Sequence, residues 1–137
     1  MYYVLSTAVQ LHKEVRFLTW KFDNSKPIYI QIADKIEMMI LSGEYKSGDS
    51  LPSVRDFAVQ ASVNPNTMQR AMQELEARGL IFVQRAVGRL VTEDKAVIEK
   101  CLNEKVKSIT LNYLNEIKAL NIKKDDAVKI LNENWEN

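Results

Sequence analysis

A mainly α fold with one small β wing is predicted by three observations on this sequence. Ser53 and Asn64 each open a helix in close succession, with a short turn between. Two β-favouring runs follow, separated by a turn that holds Gly88. From Asp94 to Asn137 the chain contains neither proline nor glycine and carries apolar residues at helical spacing. The sequence therefore divides into an N-terminal extension over 1–20, a helix-turn-helix with hairpin over 21–93, and a two-helix segment over 94–137.

The extension has no helix punctuation, although Val9, Leu11, Val15 and Leu18 can form a loose apolar strip, and His12 is expected to be solvated. A first helix is expected from Pro27 to about Leu41. Proline stands at its start, Ile32, Ile36, Met39 and Ile40 point inward, and Gly43 ends it. This helix is scaffold, and Tyr45, Gly48 and Leu51 make the turn that leaves it, with Tyr45 as a packing residue. The second helix begins at Ser53, where Asp56 three residues later completes a capping-box pattern. Ala61-Ser62-Val63 is the turn, and Asn64-Pro65 places an N-cap before proline at the first helical position.

The third helix runs from Pro65 to the left-handed cap expected at Gly79. Met68, Ala71, Met72 and Leu75 recur every three or four residues and form its core stripe. Asn66, Thr67, Gln69, Arg70 and Gln73 occupy the opposite face and can donate or accept hydrogen bonds without acidic charge. Such a face suits the major groove of DNA, where asparagine and glutamine pair with adenine and arginine with guanine. After Gly79, Leu80-Ile81-Phe82-Val83 and Arg89-Leu90-Val91-Thr92 are expected to be strands around the turn Gln84-Arg85-Ala86-Val87-Gly88. Arg85 and Arg89 can then lie against a minor groove or flanking phosphates.

These pieces carry a family resemblance. Pro27-Ile28-Tyr29-Ile30-Gln31-Ile32, Ile40-x-x-Gly43, Gly48-Asp49-x-Leu51-Pro52-Ser53-x-Arg55, Val63-Asn64-Pro65-Asn66-Thr67-Met68, Gly79-Leu80-Ile81 and Gly88-x-Leu90-Val91 resemble the winged helix-turn-helix domain of the GntR superfamily of bacterial transcription regulators. The resemblance implies DNA contacts by Arg55, Asn64, Asn66, Thr67 and Gln69, and places Arg85 and Gly88 in the wing turn; Ser53, Pro65, Arg70 and Arg89 complete the set of candidate DNA-contacting residues. Arg55 would contact phosphate or a base edge near the operator centre. The family's wing usually has two glycines one residue apart; here the first is Ala86, which resists positive φ and predicts a differently shaped tip.

In the C-terminal segment, Ala96, Val97, Leu102, Val106, Ile109, Leu111, Tyr113, Leu114, Ile117 and Leu120 make a broad apolar surface on one long helix. A second helix from about Lys124 to Trp135 presents Ala127, Val128, Ile130, Leu131 and Trp135, and Trp135 is expected to dock back on the core. Two helices cover one another only in part, so the remaining stripe calls for a second copy of the chain. Its length and pattern resemble the YtrA-like branch of the superfamily, in which a short helical segment replaces a large effector-binding domain. The resemblance implies a homodimeric repressor, with membrane-transport or cell-envelope genes as targets; the sequence names no effector.

Composition sets outer bounds. No apolar run reaches the length of a membrane span. The single cysteine, Cys101, can form no internal disulfide, so a cytoplasmic location is expected. The one histidine and one cysteine stand far apart, which gives no metal-ligand spacing, no catalytic constellation and no cofactor site. Net charge is only +1, but its distribution is uneven. From Leu51 to Thr92 five arginines stand against three acids, whereas from Glu93 onward eight lysines face nine acids with no arginine. Arginine's planar fork suits phosphate and guanine. The expected function is sequence-specific binding of a palindromic double-stranded operator; the alternative is a winged helix used as a protein-interaction module.

Overall fold

The computed structural model describes residues 20–137. The apolar strip and His12 of the N-terminal extension lie outside the described residues. Two compact units are present, one ending at Ile98 and the other spanning Glu99–Asn137.

The first unit contains α1 (Ile28–Leu41), α2 (Val54–Ala61), α3 (Pro65–Ala77), β1 (Ile81–Gln84) and β2 (Gly88–Val91). Pro27 stands at the N-cap of α1, and its carbonyl accepts from the amides of Ile30 and Gln31 at 3.0 and 3.2 Å. Ile32, Ala33, Ile36, Met39 and Ile40 of this helix are buried. The chain leaves it through Gly43 at φ +82°. At the start of α2 the Ser53 hydroxyl accepts from the Asp56 amide at 3.1 Å. The turn after α2 is closed by Ser62 in the left-handed conformation, with the Val63 amide donating to the Ala58 carbonyl at 3.0 Å.

In α3 the expected stripe is fully enclosed: Met68, Ala71, Met72 and Leu75 are all 0% exposed. They pack with α1 and α2 around Phe57, Ile32 and Ile36. Each large side chain so buried contributes about 1.5–3 kcal/mol. Gly79 ends the helix region at φ +77°, its amide donating to the Glu76 carbonyl while that of Leu80 donates to Leu75. Tyr45 packs as expected, edge-on to Phe57 at 6.4 Å between centroids. Trp20 does so too, at 5.9 Å, so this residue belongs with the core although the sequence reading put it in the extension.

The hairpin is shifted by one residue from its expected bounds. Gln84 pairs with Gly88 and Ile81 with Val91, which leaves Arg85, Ala86 and Val87 as the loop. At the tip Ala86 adopts the positive φ that alanine resists, +67°, and the Val87 amide closes the turn on the Gln84 carbonyl at 3.1 Å. The closing hydrogen bond and strand pairing hold alanine in a conformation it disfavours by roughly 1–2 kcal/mol. A further edge was not legible in sequence: Ser50 bridges Leu90, and the Leu51 amide donates to the Arg89 carbonyl at 2.9 Å. The segment entering α2 is thereby pinned beside β2.

One polar cluster joins α1 to α3. The Arg78 guanidinium reaches Asp34 at 2.8 Å, Glu37 at 3.3 Å and Glu74 at 3.1 Å, and Lys26 also reaches Asp34, at 3.1 Å. Burial alone would raise the Asp34 carboxyl above its ordinary 3.8, but hydrogen bonds from Arg78 and Lys26 outweigh it and hold the carboxyl below that value. Burial likewise works against the charge of Arg78, yet its bonds to Asp34 and Glu74 keep its pKa raised.

The second unit takes in most of α4 (Lys95–Ala119) and all of α5 (Lys124–Asn134). Asn121 at φ +56° separates them, doing what glycine does at other helix ends; its amide donates to the Lys118 carbonyl at 3.0 Å. Ala127 is the only buried residue of this unit. Leu102, Val106 and Ile109 are 40%, 54% and 54% exposed, forming a stripe at helical spacing. Trp135 corrects the expectation of a docked residue, because it stands at the C-cap past the last turn of α5 and is 79% exposed.

Two stability outcomes are expected. Asp34 binds its proton less readily folded than unfolded, so its contribution is complete above the unfolded value of 3.8 and is lost as pH falls below it. Asp34→Ala should therefore cost about 1–2 kcal/mol in urea unfolding at neutral pH, and should flatten the loss of stability in acid. Ala86→Gly should raise stability by about 0.5–1 kcal/mol in thermal unfolding, since relief of the positive φ exceeds the entropy cost of glycine.

Candidate nucleic-acid interface

The helical spacing of α3 fixes which of its side chains remain outside. With Met68, Ala71, Met72 and Leu75 turned inward, Asn66, Gln69 and Gln73 fall on the far side, with Asn66 and Gln73 exposed and Gln69 half-buried. Thr67 is also half-buried. Pro65 supplies the first helical position, where its missing N–H leaves no unpaired donor. Asn64 has a structural task, its Oδ1 accepting from the Asn66 amide at 2.8 Å. The Asn64 amide nitrogen can still donate, as can the Ser53 hydroxyl hydrogen while its oxygen caps α2.

The five arginines counted between Leu51 and Thr92 are not equivalent in three dimensions. Arg78 is engaged by three carboxylates and belongs to the scaffold. Arg89 pairs with Glu76 at 2.7 Å, and its side chain is only 19% exposed. This contact links the wing to α3. Among the described residues, Arg55, Arg70 and Arg85 form no ion pair, and all three are exposed. Arg70 lies against the ring of Tyr29, its guanidinium carbon 4.1 Å from the centroid.

The same pairing disposes of the acidic residues of α3. Glu74 is bonded to Arg78 and Glu76 to Arg89, so neither presents an uncompensated carboxylate beside the polar face. Three of the five arginines are therefore without an ion pair among the described residues, one on α2, one on α3 and one at the hairpin tip. Gly88, at φ +110°, closes the hairpin in a conformation that a side chain resists. Tyr29 and Glu76 are the participants that sequence reading missed. Tyr29 stood out in sequence only as part of a family motif and Glu76 only as one of three acids, and the tertiary packing joins each to an arginine.

Comparison with known proteins identifies the family. A family model described as bacterial regulatory proteins of the gntR family matches residues 28–91. The HTH-type transcriptional regulator YhcF of Bacillus subtilis is 34% identical over 109 residues, covering 80% of this chain and 90% of its own length. The HTH-type transcriptional repressor YtrA of the same organism is 42% identical over 71 residues, which span 52% of this chain and 55% of that one. A solved GntR family transcriptional regulator from Listeria monocytogenes superposes with a TM-score of 0.75 at 42% identity, covering 82% of this chain and 98% of its own. These relatives are transcriptional regulators, not enzymes. The winged helix-turn-helix built on α1–α3 and the β1–β2 hairpin, with these relatives spanning most of the chain, makes this protein a member of the GntR family of bacterial transcription regulators.

Proposed function

We propose that the chain is a homodimeric repressor that occupies a palindromic operator from the cytoplasm, the compartment of bacterial DNA. The observation that carries the DNA-reading surface is the division of labour among its arginines. Arg78 and Arg89 are consumed by carboxylates, whereas Arg55, Arg70 and Arg85 form no ion pair among the described residues, and both carboxylates of the helix that carries the polar face are neutralised. In this reading α3 enters the major groove, with Asn66, Thr67, Gln69 and Arg70 toward base edges and phosphates and the Asn64-Pro65 start near the backbone. Ser53 and Arg55 contact the strand on the α2 side. Arg85 lies along the neighbouring groove, with Gly88 shaping the wing and Arg89 fixing its angle through Glu76.

Dimerisation through the C-terminal helices is supported by the uncovered apolar stripe on α4 and by Val128, Ile130 and Leu131 of α5, all of them exposed in a single chain. A two-fold dimer reading a palindrome needs half-sites about 34–36 Å apart, one turn of DNA. Repression is supported by the name of the relative YtrA, a transcriptional repressor. Among the described residues no helix is long and apolar enough to cross a membrane.

Two substitutions test this function on duplex DNA selected by the wild-type protein from a randomised library. Arg55→Ala should reduce specific affinity by roughly a hundredfold or more in fluorescence anisotropy, with unfolding midpoint and dimer mass unchanged. Unchanged affinity would remove Arg55 from the interface, and failure of the wild-type protein to select any sequence would favour a protein partner. Ile109→Glu should yield a monomer in light scattering and weaken operator binding, while the winged unit still melts cooperatively. A variant that remains dimeric would exclude the α4 stripe as the interface.

A further inference from the structure

Tyr29 stands in the first turn of α1, a helix whose other inward residues serve the core. Its half-buried ring faces α3, not solvent alone, and what it meets there is the guanidinium of Arg70 at 4.1 Å. Helical spacing explains the meeting. Arg70, Glu74 and Arg78 follow one another every four residues and so form a single ridge along α3. Asp34 and Glu37 of α1 hold Arg78 at one end of that ridge. At the other end α1 offers an aromatic ring where it could have offered another carboxylate.

The difference in chemistry matters. A carboxylate on a guanidinium occupies its N–H donors, as at Arg78 and Arg89. A ring beneath the guanidinium plane attracts the charge and narrows the side chain's rotamers while leaving the in-plane donors open. Among the described residues the Arg70 guanidinium has no hydrogen-bond acceptor, consistent with that arrangement. We propose that Tyr29 is a positioning residue for DNA recognition: it pre-orders Arg70 at the edge of the reading face with its donors free for phosphate or guanine. This rests on the DNA-reading function proposed above.

The test is a double-mutant cycle on the library-selected duplex, read by anisotropy at several salt concentrations. Tyr29→Phe should bind like wild type, because the ring is retained. Tyr29→Leu should weaken binding about three- to fivefold when Arg70 is present and by nothing further in an Arg70→Ala background. Arg70→Lys keeps the charge but loses the planar fork, and should weaken binding with Tyr29 intact and with no change at Tyr29 to disturb the fold. The inference is overturned if Tyr29→Leu weakens binding equally in the Arg70→Ala background, since the ring would then act through packing alone. It is also overturned if Tyr29→Leu and Arg70→Lys both bind like wild type. A wild-type chain without specific binding would remove the DNA-reading function and this inference with it. Specific wild-type binding with the two variants unchanged would remove the inference alone.

Discussion

The enclosure of one stripe of α3 governs the winged unit. Met68, Ala71, Met72 and Leu75 are wholly removed from solvent against α1 and α2, and this fixes the rotation of the helix about its axis. Once that rotation is set, the outward direction of Asn66, Gln69 and Gln73 is no longer a choice. The burial energy thus positions the polar face without any of its residues contributing to the core. The core stripe and the polar face are placed on opposite sides of the same helix.

Charge is organised by the same rotation. The side of α3 that meets α1 carries Arg70, Glu74 and Arg78, and each is answered by α1 or by its neighbour on the ridge. The side toward the hairpin carries Glu76, answered by Arg89. A near-neutral chain can therefore present a positive surface locally, because its carboxylates on this helix are spent internally. The Arg78 cluster is partly shielded and carries several hydrogen bonds, which makes it worth more than an exposed pair of the same residues. The Glu76–Arg89 contact gives the hairpin a second attachment beyond its strand register and the bridge at Ser50.

The second unit obeys a different constraint. With only Ala127 buried, its two helices cannot draw their stability from their own shared core. The exposed Leu102, Val106 and Ile109 are too regularly spaced to be scattered surface residues. Apolar area of this kind is stabilising only when covered, and the second copy proposed above would supply a matching surface by symmetry.

Local chemistry made much of the fold legible from the residues alone. Ser53, Asn64, Pro65 and Gly79 mark helix ends through backbone hydrogen bonds, and the α3 stripe follows from a period of 3.6 residues. These are short-range effects, carried by the chain wherever it lies. The hairpin was legible in kind but not to the residue, because strand ends depend on which amide finds which carbonyl; the Gln84–Gly88 pair and the positive φ of Ala86 were decided there. Least legible were the arginines. In sequence Arg55, Arg70, Arg78, Arg85 and Arg89 are five equal charges, and only folding brings Asp34, Glu37, Glu76 and Tyr29 to three of them and leaves Arg55 and Arg85 without an ion pair among the described residues. The sequence by itself determined the helices, the turn and the polar face, since each rests on neighbours in the chain. The tertiary structure decided which charges remain for a partner, since pairing requires groups distant in sequence to arrive within hydrogen-bond or van der Waals reach.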